Sequence, residues 1–270
     1  MSVAKKGICH VCGKYKSLTY EHVPPKAAFN RHKIKLISGE QIFVREPNKR
    51  PWDLTGLKGR FRQQGSGFYV LCGSCNNNIG AWYGSSYTAF AYSIAKLLWE
   101  HRTRPNMFVH FGIEQVQPLA VIKQALSMFC AINVESFTDN NLRNFLLNRA
   151  CRELDKNKYR LHLYLTNDTQ NKFMGLTVLV RAGQPQIKVS EITTFPIGLV
   201  LYIDPQPSAN LIGADITSFA DCKYGQSHNL ELKVPLYEKN TMFPLDYRSK
   251  AEIEKCIISN QRFMEERNNG

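Results

Sequence analysis

The chain has no long apolar run. No window of eighteen consecutive apolar residues occurs in its 270 residues, which argues against an ordinary membrane-spanning helix. Its first residues, Met1-Ser-Val-Ala-Lys-Lys-Gly7, carry no apolar stretch before the first cysteine, so no secretory signal is expected and a cytoplasmic setting is. Internal repeats and low-complexity tracts are also missing, which sets aside repeat architectures. Acidic residues are scarce in one part only. Residues 1–105 hold 5 Asp+Glu against 17 Lys+Arg, a net of +12, whereas residues 106–270 hold 17 against 18, a net of +1. A solvated basic face is the plain explanation of such an excess, and a nucleic-acid footprint the sharper one.

Cysteine is present eight times. A reducing compartment disfavours disulfides, so another use is expected. Cys130, Cys151, Cys222 and Cys256 are scattered and read as small buried hydrophobes. The other four form two Cys-x-x-Cys pairs, Cys9/Cys12 and Cys72/Cys75. Four thiolates close a tetrahedral zinc site with no open position, which is the structural kind. Fifty-nine residues separate Cys12 from Cys72, so a long insertion or hairpin must lie between the pairs. His10 reads as a solvent-facing histidine, with a place as an alternate ligand the second reading, and the plainest reading of the cluster is a zinc knuckle without catalysis.

Two domains are expected, 1–105 and 106–270. In the first, 34–37, 41–44 and 68–71 read as strands and 45–51 and 56–67 as loops. Ile79, Trp82, Tyr83, Tyr87, Phe90, Ile94, Leu97 and Leu98 recur at helical spacing and predict a helix over 79–101. The boundary falls at 102–105, where Pro105 disfavours helix at the residue before it. In the second segment, helices are expected over 118–134, 140–152 (Asp139 as N-cap) and 250–265. Strands are expected over 160–165, 174–181, 186–192, 197–203 and 230–236, with a loop at 204–210. The class is α+β with a mostly antiparallel sheet.

Between the cysteine pairs stands Glu21-His22-Val23-Pro24-Pro25-Lys26, and Asn76 follows Cys75 directly. Together with Cys9-x-x-Cys12-Gly13 and Cys72-x-x-Cys75-Asn76, this resembles the HNH (ββα-metal) endonucleases, in the branch with a structural zinc held by paired cysteines. The resemblance covers roughly residues 8–100. It implies a hairpin carrying His22, then a helix starting at the second cysteine pair. It also implies that His22 is the general base and that Glu21 and Asn76 hold a catalytic Mg²⁺ or Mn²⁺, hard oxygen ligands suiting those ions as thiolates suit zinc. One position departs from the pattern. The middle asparagine, expected about five residues before the second cysteine pair, is replaced by Ser66 and Gly67.

The basic stretch supplies Lys26, Arg31, Lys33, Arg60 and Arg62 as candidate phosphate contacts, with Trp52 and Phe61 as candidate stacking platforms. The expectation is therefore a metal-dependent endonuclease acting on nucleic acid, DNA first, of the kind found in phage defence and mobile elements. Residues 106–270 would select targets, regulate or form a homo-oligomer. The alternatives are a non-catalytic zinc-containing nucleic-acid-binding protein and a protein-interaction module stapled by the cysteines.

Overall fold

A computed structural model of the chain describes residues 5–44, 49–101, 104–180, 183 and 185–268. Parts of the expected loop at 45–51 and of the boundary at 102–105, and Arg181 at the end of an expected strand, lie outside the described residues.

The chain opens with β1 (Lys6–Ile8), which pairs antiparallel with β2 (Tyr15–His22). The turn between them is the first cysteine knuckle. Gly13 sits there at φ +70°, a left-handed conformation that glycine adopts without penalty, and its N–H closes the turn on the Cys9 carbonyl at 2.8 Å. Next come β3 (Ile34–Leu36), a short helix α1 (Gly39–Phe43), and β4 (Arg60–Arg62), which pairs with β3. The strand expected at 41–44 is thus the end of a helical turn. The Ser38-x-x-Gln41 pattern is a helix-start signature, with Ser38 extended at the cap position, and it outweighs a four-residue apolar alternation. β4 falls inside a stretch expected to be loop; its three residues are all exposed, so no burial pattern marked it.

β5 (Gly67–Cys72) lies antiparallel to β2, with Glu21 opposite Phe68 and His22 opposite Gly67. The register slips between Thr19 and Tyr20. The slip leaves Val70 without a partner on β2, and its carbonyl accepts from the His10 N–H at 2.9 Å. The chain then runs as one helical rod through α2 (Gly73–Ile79), a π-helical turn (Gly80–Gly84) and α3 (Ser85–Glu100).

β6 (Met107–Val116) follows, a strand that sequence reading missed. Then come α4 (Pro118–Ile132), α5 (Asn140–Leu147), β7 (Tyr159–Leu165), β8 (Lys172–Leu179), β9 (Ile187–Thr194) and β10 (Ile197–Ile203). The two-residue β11 (Ala214–Asp215), β12 (His228–Leu236) and α6 (Lys250–Asn268) complete the chain. Asp139 caps α5 by accepting from Leu142 N–H at 2.8 Å, as expected. α5 stops at Leu147, five residues short of the expected end.

The large sheet has seven strands in the order β6-β12-β7-β10-β9-β8, with β11 on β7. Every pairing is antiparallel except β12 with β7, so the α+β class with a mostly antiparallel sheet is found. α4 is buried along its length, from Pro118 to Ala131. It packs on β5, α3 and α5 and also on β8 and β9 of the large sheet. One apolar cluster therefore runs from Val11, Leu71 and Ile79 through Phe129 to Leu163 and Leu199. No helix among the described residues is long and apolar enough to cross a membrane.

Candidate functional site

The four paired cysteines converge. The sulfurs of Cys9, Cys12, Cys72 and Cys75 all lie within 4.8 Å of one another, and Cys12 Sγ is 3.9 Å from Cys72 Sγ. A tetrahedral ion with Zn–S bonds of about 2.3 Å sets its sulfurs about 3.8 Å apart, so the donor set fits zinc. Cys9 and Cys72 are fully buried, and the Cys72 N–H donates to Cys9 Sγ at 3.3 Å, a bond that favours thiolate. A hydrogen bond from the Cys75 thiol pushes Cys9 down to about 4 and holds Cys75 correspondingly high. Among the described residues this is the one cluster of three or more His, Cys, Asp or Glu groups close enough to share an ion. His10 is not part of it. Its Nδ1 donates to the Cys130 carbonyl at 3.0 Å and docks the knuckle on α4, neither a ligand nor free in solvent. Arg143 on α5 adds a second tie, donating to the Val11 carbonyl at 3.1 Å.

Of the remaining cysteines, Cys130 and Cys151 are buried as expected, Cys222 is half-buried, and Cys256 is exposed on the outer side of α6.

Beside the knuckle, β2 and the α2–α3 rod enclose a cleft of about 620 Å³ lined by Glu21, His22, Pro25, Lys26, Asn76, Gly80, Gly84, Thr88 and Gln124, among others. Three sequence-predicted groups, Glu21, His22 and Asn76, meet there. Glu21 is 6% exposed and its carboxyl has neither hydrogen bond nor ion pair among the described residues. Burial alone pushes it up to about 8, so without a cation it holds its proton at neutral pH. His22 is half-buried, and burial pulls its imidazole below the usual value, against a smaller upward pull from the Gln64 carbonyl. That carbonyl lies 3.0 Å from Nε2 and can only accept, so Nε2 carries the proton and Nδ1 keeps a free lone pair.

Asn76 is oriented by the same logic. Its amide nitrogen donates to Thr19 Oγ1 at 2.9 Å and to the Tyr20 carbonyl at 3.1 Å. The Thr19 hydroxyl spends its proton on the Leu71 carbonyl at 3.0 Å, which leaves its oxygen to accept. Both amide protons are thus used, and Asn76 Oδ1 is left with no partner among the described residues.

Sequence reading missed Asn30. It is 3% exposed in the segment after His22, and its amide donates to the Pro24 and Ser66 carbonyls at 2.7 and 2.8 Å. Its Oδ1 accepts from the Ser66 N–H at 2.7 Å. The two limbs of the hairpin are therefore stitched by an amide from the first limb, where an asparagine was expected on the second. Gly67 belongs to the same close approach, since a Cβ there would drive into the Glu21 carbonyl.

The predicted nucleic-acid contacts fall in two places. Lys26 is exposed at the cleft rim. Lys33, Arg60 and Arg62 are exposed on or next to the β3–β4 ribbon, with Arg31 just before it, and none forms an ion pair among the described residues. Lys33 Nζ stands 4.6 Å over the Phe61 ring, which is 60% exposed. Trp52 is half-buried beneath Lys250 Nζ at 5.5 Å, so a lysine lies over each expected platform and Phe61 is the more exposed of the two.

Comparison of the chain with protein-family models, with curated proteins and with solved structures finds no match.

Proposed function

We propose that the protein is a metal-dependent endonuclease of the HNH type, hydrolysing phosphodiester bonds in nucleic acid, with DNA the first substrate to test. One observation carries the reading. Three residues with different chemical abilities line the same cleft: His22, whose Nδ1 lone pair is free, Asn76, whose Oδ1 has no partner among the described residues, and Glu21, whose buried carboxyl is likewise unpartnered there. The β2–β5 pair, the helix starting at the second cysteine pair and the adjoining four-cysteine cluster support the same reading.

In this proposal His22 Nδ1 takes a proton from water as its oxygen attacks phosphorus; a new P–O bond forms, the P–O3′ bond breaks, and the 3′ oxygen takes up a proton from solvent. The burial that lowers the His22 pKa keeps the imidazole neutral and able to accept at pH 7. Glu21 and Asn76 hold the hard divalent cation, whose chemistry is to stabilise charge on the phosphate and the departing oxygen. The cysteine cluster holds zinc and fixes the base of the hairpin. Exposed Lys26, Arg31, Lys33, Arg60 and Arg62 neutralise backbone phosphates.

The test is plasmid nicking by zinc-loaded protein with Mg²⁺ or Mn²⁺, comparing wild type, chelated wild type and His22→Ala. Cleavage that needs the metal and is lost in the folded variant supports the proposal. Equal cleavage by both proteins sinks it. Salt-sensitive binding without any cleavage of DNA or RNA would put a non-catalytic binding protein in its place.

A further inference from the structure

The cleft has a wall that belongs to the second segment of the chain. Gln124 lies on α4 and is 1% exposed, yet its Oε1 has no hydrogen-bond partner, one of few such buried atoms among the described residues. The amide orientation is fixed. The Ser127 hydroxyl spends its proton on the Gln124 backbone carbonyl at 2.7 Å, so its oxygen can only accept, and it is Gln124 Nε2 that faces it at 3.3 Å. Oε1 is thereby turned away from Ser127, on the side of Gly84, and Gln124 lines the cleft with Glu21, His22 and Asn76. Gly84, which lines the same cleft, lies beside it: a Cβ there would come to 3.9 Å from that oxygen.

A buried carbonyl oxygen with no donor is costly to keep, so its position calls for a ligand. That ligand has to bring an O–H, an N–H or a positive charge. A phosphate oxygen is itself an acceptor and is repelled. Glu21 and Asn76 also bring oxygen to the lining of the same cleft, and with Glu21 ionised such a set of oxygens suits a hydrated hard cation. The oxygen is nearly enclosed, which excludes anything larger than a small O–H group.

We propose that Gln124 is a positioning residue of the hard-cation site: its Oε1 accepts a hydrogen bond from a water molecule of the bound divalent ion. The inference rests on the reading of the cleft as a hard-cation site. It makes α4, outside the stretch that resembles a nuclease, a part of that site.

Mn²⁺ is the probe, titrated by calorimetry and electron paramagnetic resonance into the full-length, zinc-loaded protein, with thermal midpoints measured in Mn²⁺-free buffer. Wild type, Glu21→Gln, Gln124→Met and Gln124→Glu are compared. Gln124→Met is expected to weaken Mn²⁺ about 10- to 100-fold, the range for lost outer-shell partners. Its midpoint without metal should be unchanged or higher, because an unpaired buried oxygen has been removed. Gln124→Glu, which keeps an acceptor at the same reach, is expected to retain binding. Unchanged Mn²⁺ affinity in Gln124→Met, with binding still lost in Glu21→Gln, would overturn this inference and leave the cation site standing. A lower midpoint in both Gln124 variants with equal loss of Mn²⁺ would mark the residue as a packing group and overturn it too. If wild type takes up no Mn²⁺ that depends on Glu21, the cation site and the role of Gln124 fall together.

Discussion

Gly80 offers the sharpest separation of stability from function. It sits in the π-helical turn at φ −60° and ψ −42°, right-handed helical values that any residue adopts, and a Cβ there meets nothing within 4 Å. Neither backbone conformation nor crowding requires glycine. Leucine at this position should therefore recover helix propensity worth about 0.7 kcal/mol. With an unfolding entropy of about 2.1 cal/mol/K per residue, that shift raises the midpoint of a chain this size by roughly 1 °C. Helical side chains lean toward the N-terminus, so the new side chain would lie over the turn that holds Asn76 and cover its Oδ1. Gly80→Leu should be slightly more stable in urea titration and at least about tenfold slower in plasmid nicking, by analogy with the loss of one positioned polar group. Gly80→Ala should gain the stability and keep most of the rate. A stabilised Gly80→Leu that cuts at the wild-type rate would refute the placement of the reaction in this cleft. A destabilised one would refute the reading of the turn.

Four further outcomes are expected. Cys72→Ser should lower bound zinc from about one per chain to well below that by metal analysis, with loss of the thermal transition's cooperativity. Asn30→Ala leaves the Pro24 carbonyl and the Ser66 N–H unpaired in a buried place and should cost about 3 kcal/mol by urea unfolding; a loss under about 1 kcal/mol would mean the stitch is replaceable. Without added hard metal, the folded Glu21 carboxyl keeps its proton to about pH 8 while the unfolded one releases it near 4.5. The fold is then penalised progressively as pH rises through that window, and the difference between wild type and Glu21→Gln in urea midpoint should grow from pH 5 to pH 8 in favour of the variant. Arg60→Ala with Arg62→Ala should weaken nucleic-acid binding and flatten the dependence of log K on log salt by about 0.7 to 0.9 for each phosphate left un-neutralised. An unchanged slope would remove the ribbon from the interface.

Much of the candidate site was legible because its residues fall in three short sequence patterns. The cysteine spacing located the cluster, and Glu21-His22 and Asn76 reach one cleft. Asn30 was not legible: an asparagine eight residues past His22 looks like any loop residue until Ser66 is brought to it across the hairpin. Gln124 left a signal that was passed over. Periodicity picks out a helix with one wet face, whereas α4 has none, and Gln124 is one of three polar residues, with Lys123 and Ser127, within the buried run 118–131. β6 left a signal as well, the alternation of buried Phe111 and Ile113 with exposed Gly112 and Glu114. Of the short ribbon, β3 was expected as a strand, whereas β4 is exposed throughout and nothing in its pattern could separate it from loop.

A helix with no outward face has a consequence for anyone dividing this protein. α4 seats the cysteine knuckle through His10, closes the cleft through Gln124 and backs the seven-stranded sheet, all at once. A fragment ending at residue 105 would keep every residue of the nuclease-like motif. It would also lay bare the buried side of α3 at Tyr87, Phe90 and Ile94 and strip the knuckle of its Arg143 tether. The smallest transplantable unit thus extends at least through α5, and the motif's outline in sequence is shorter than the piece of matter that has to move with it.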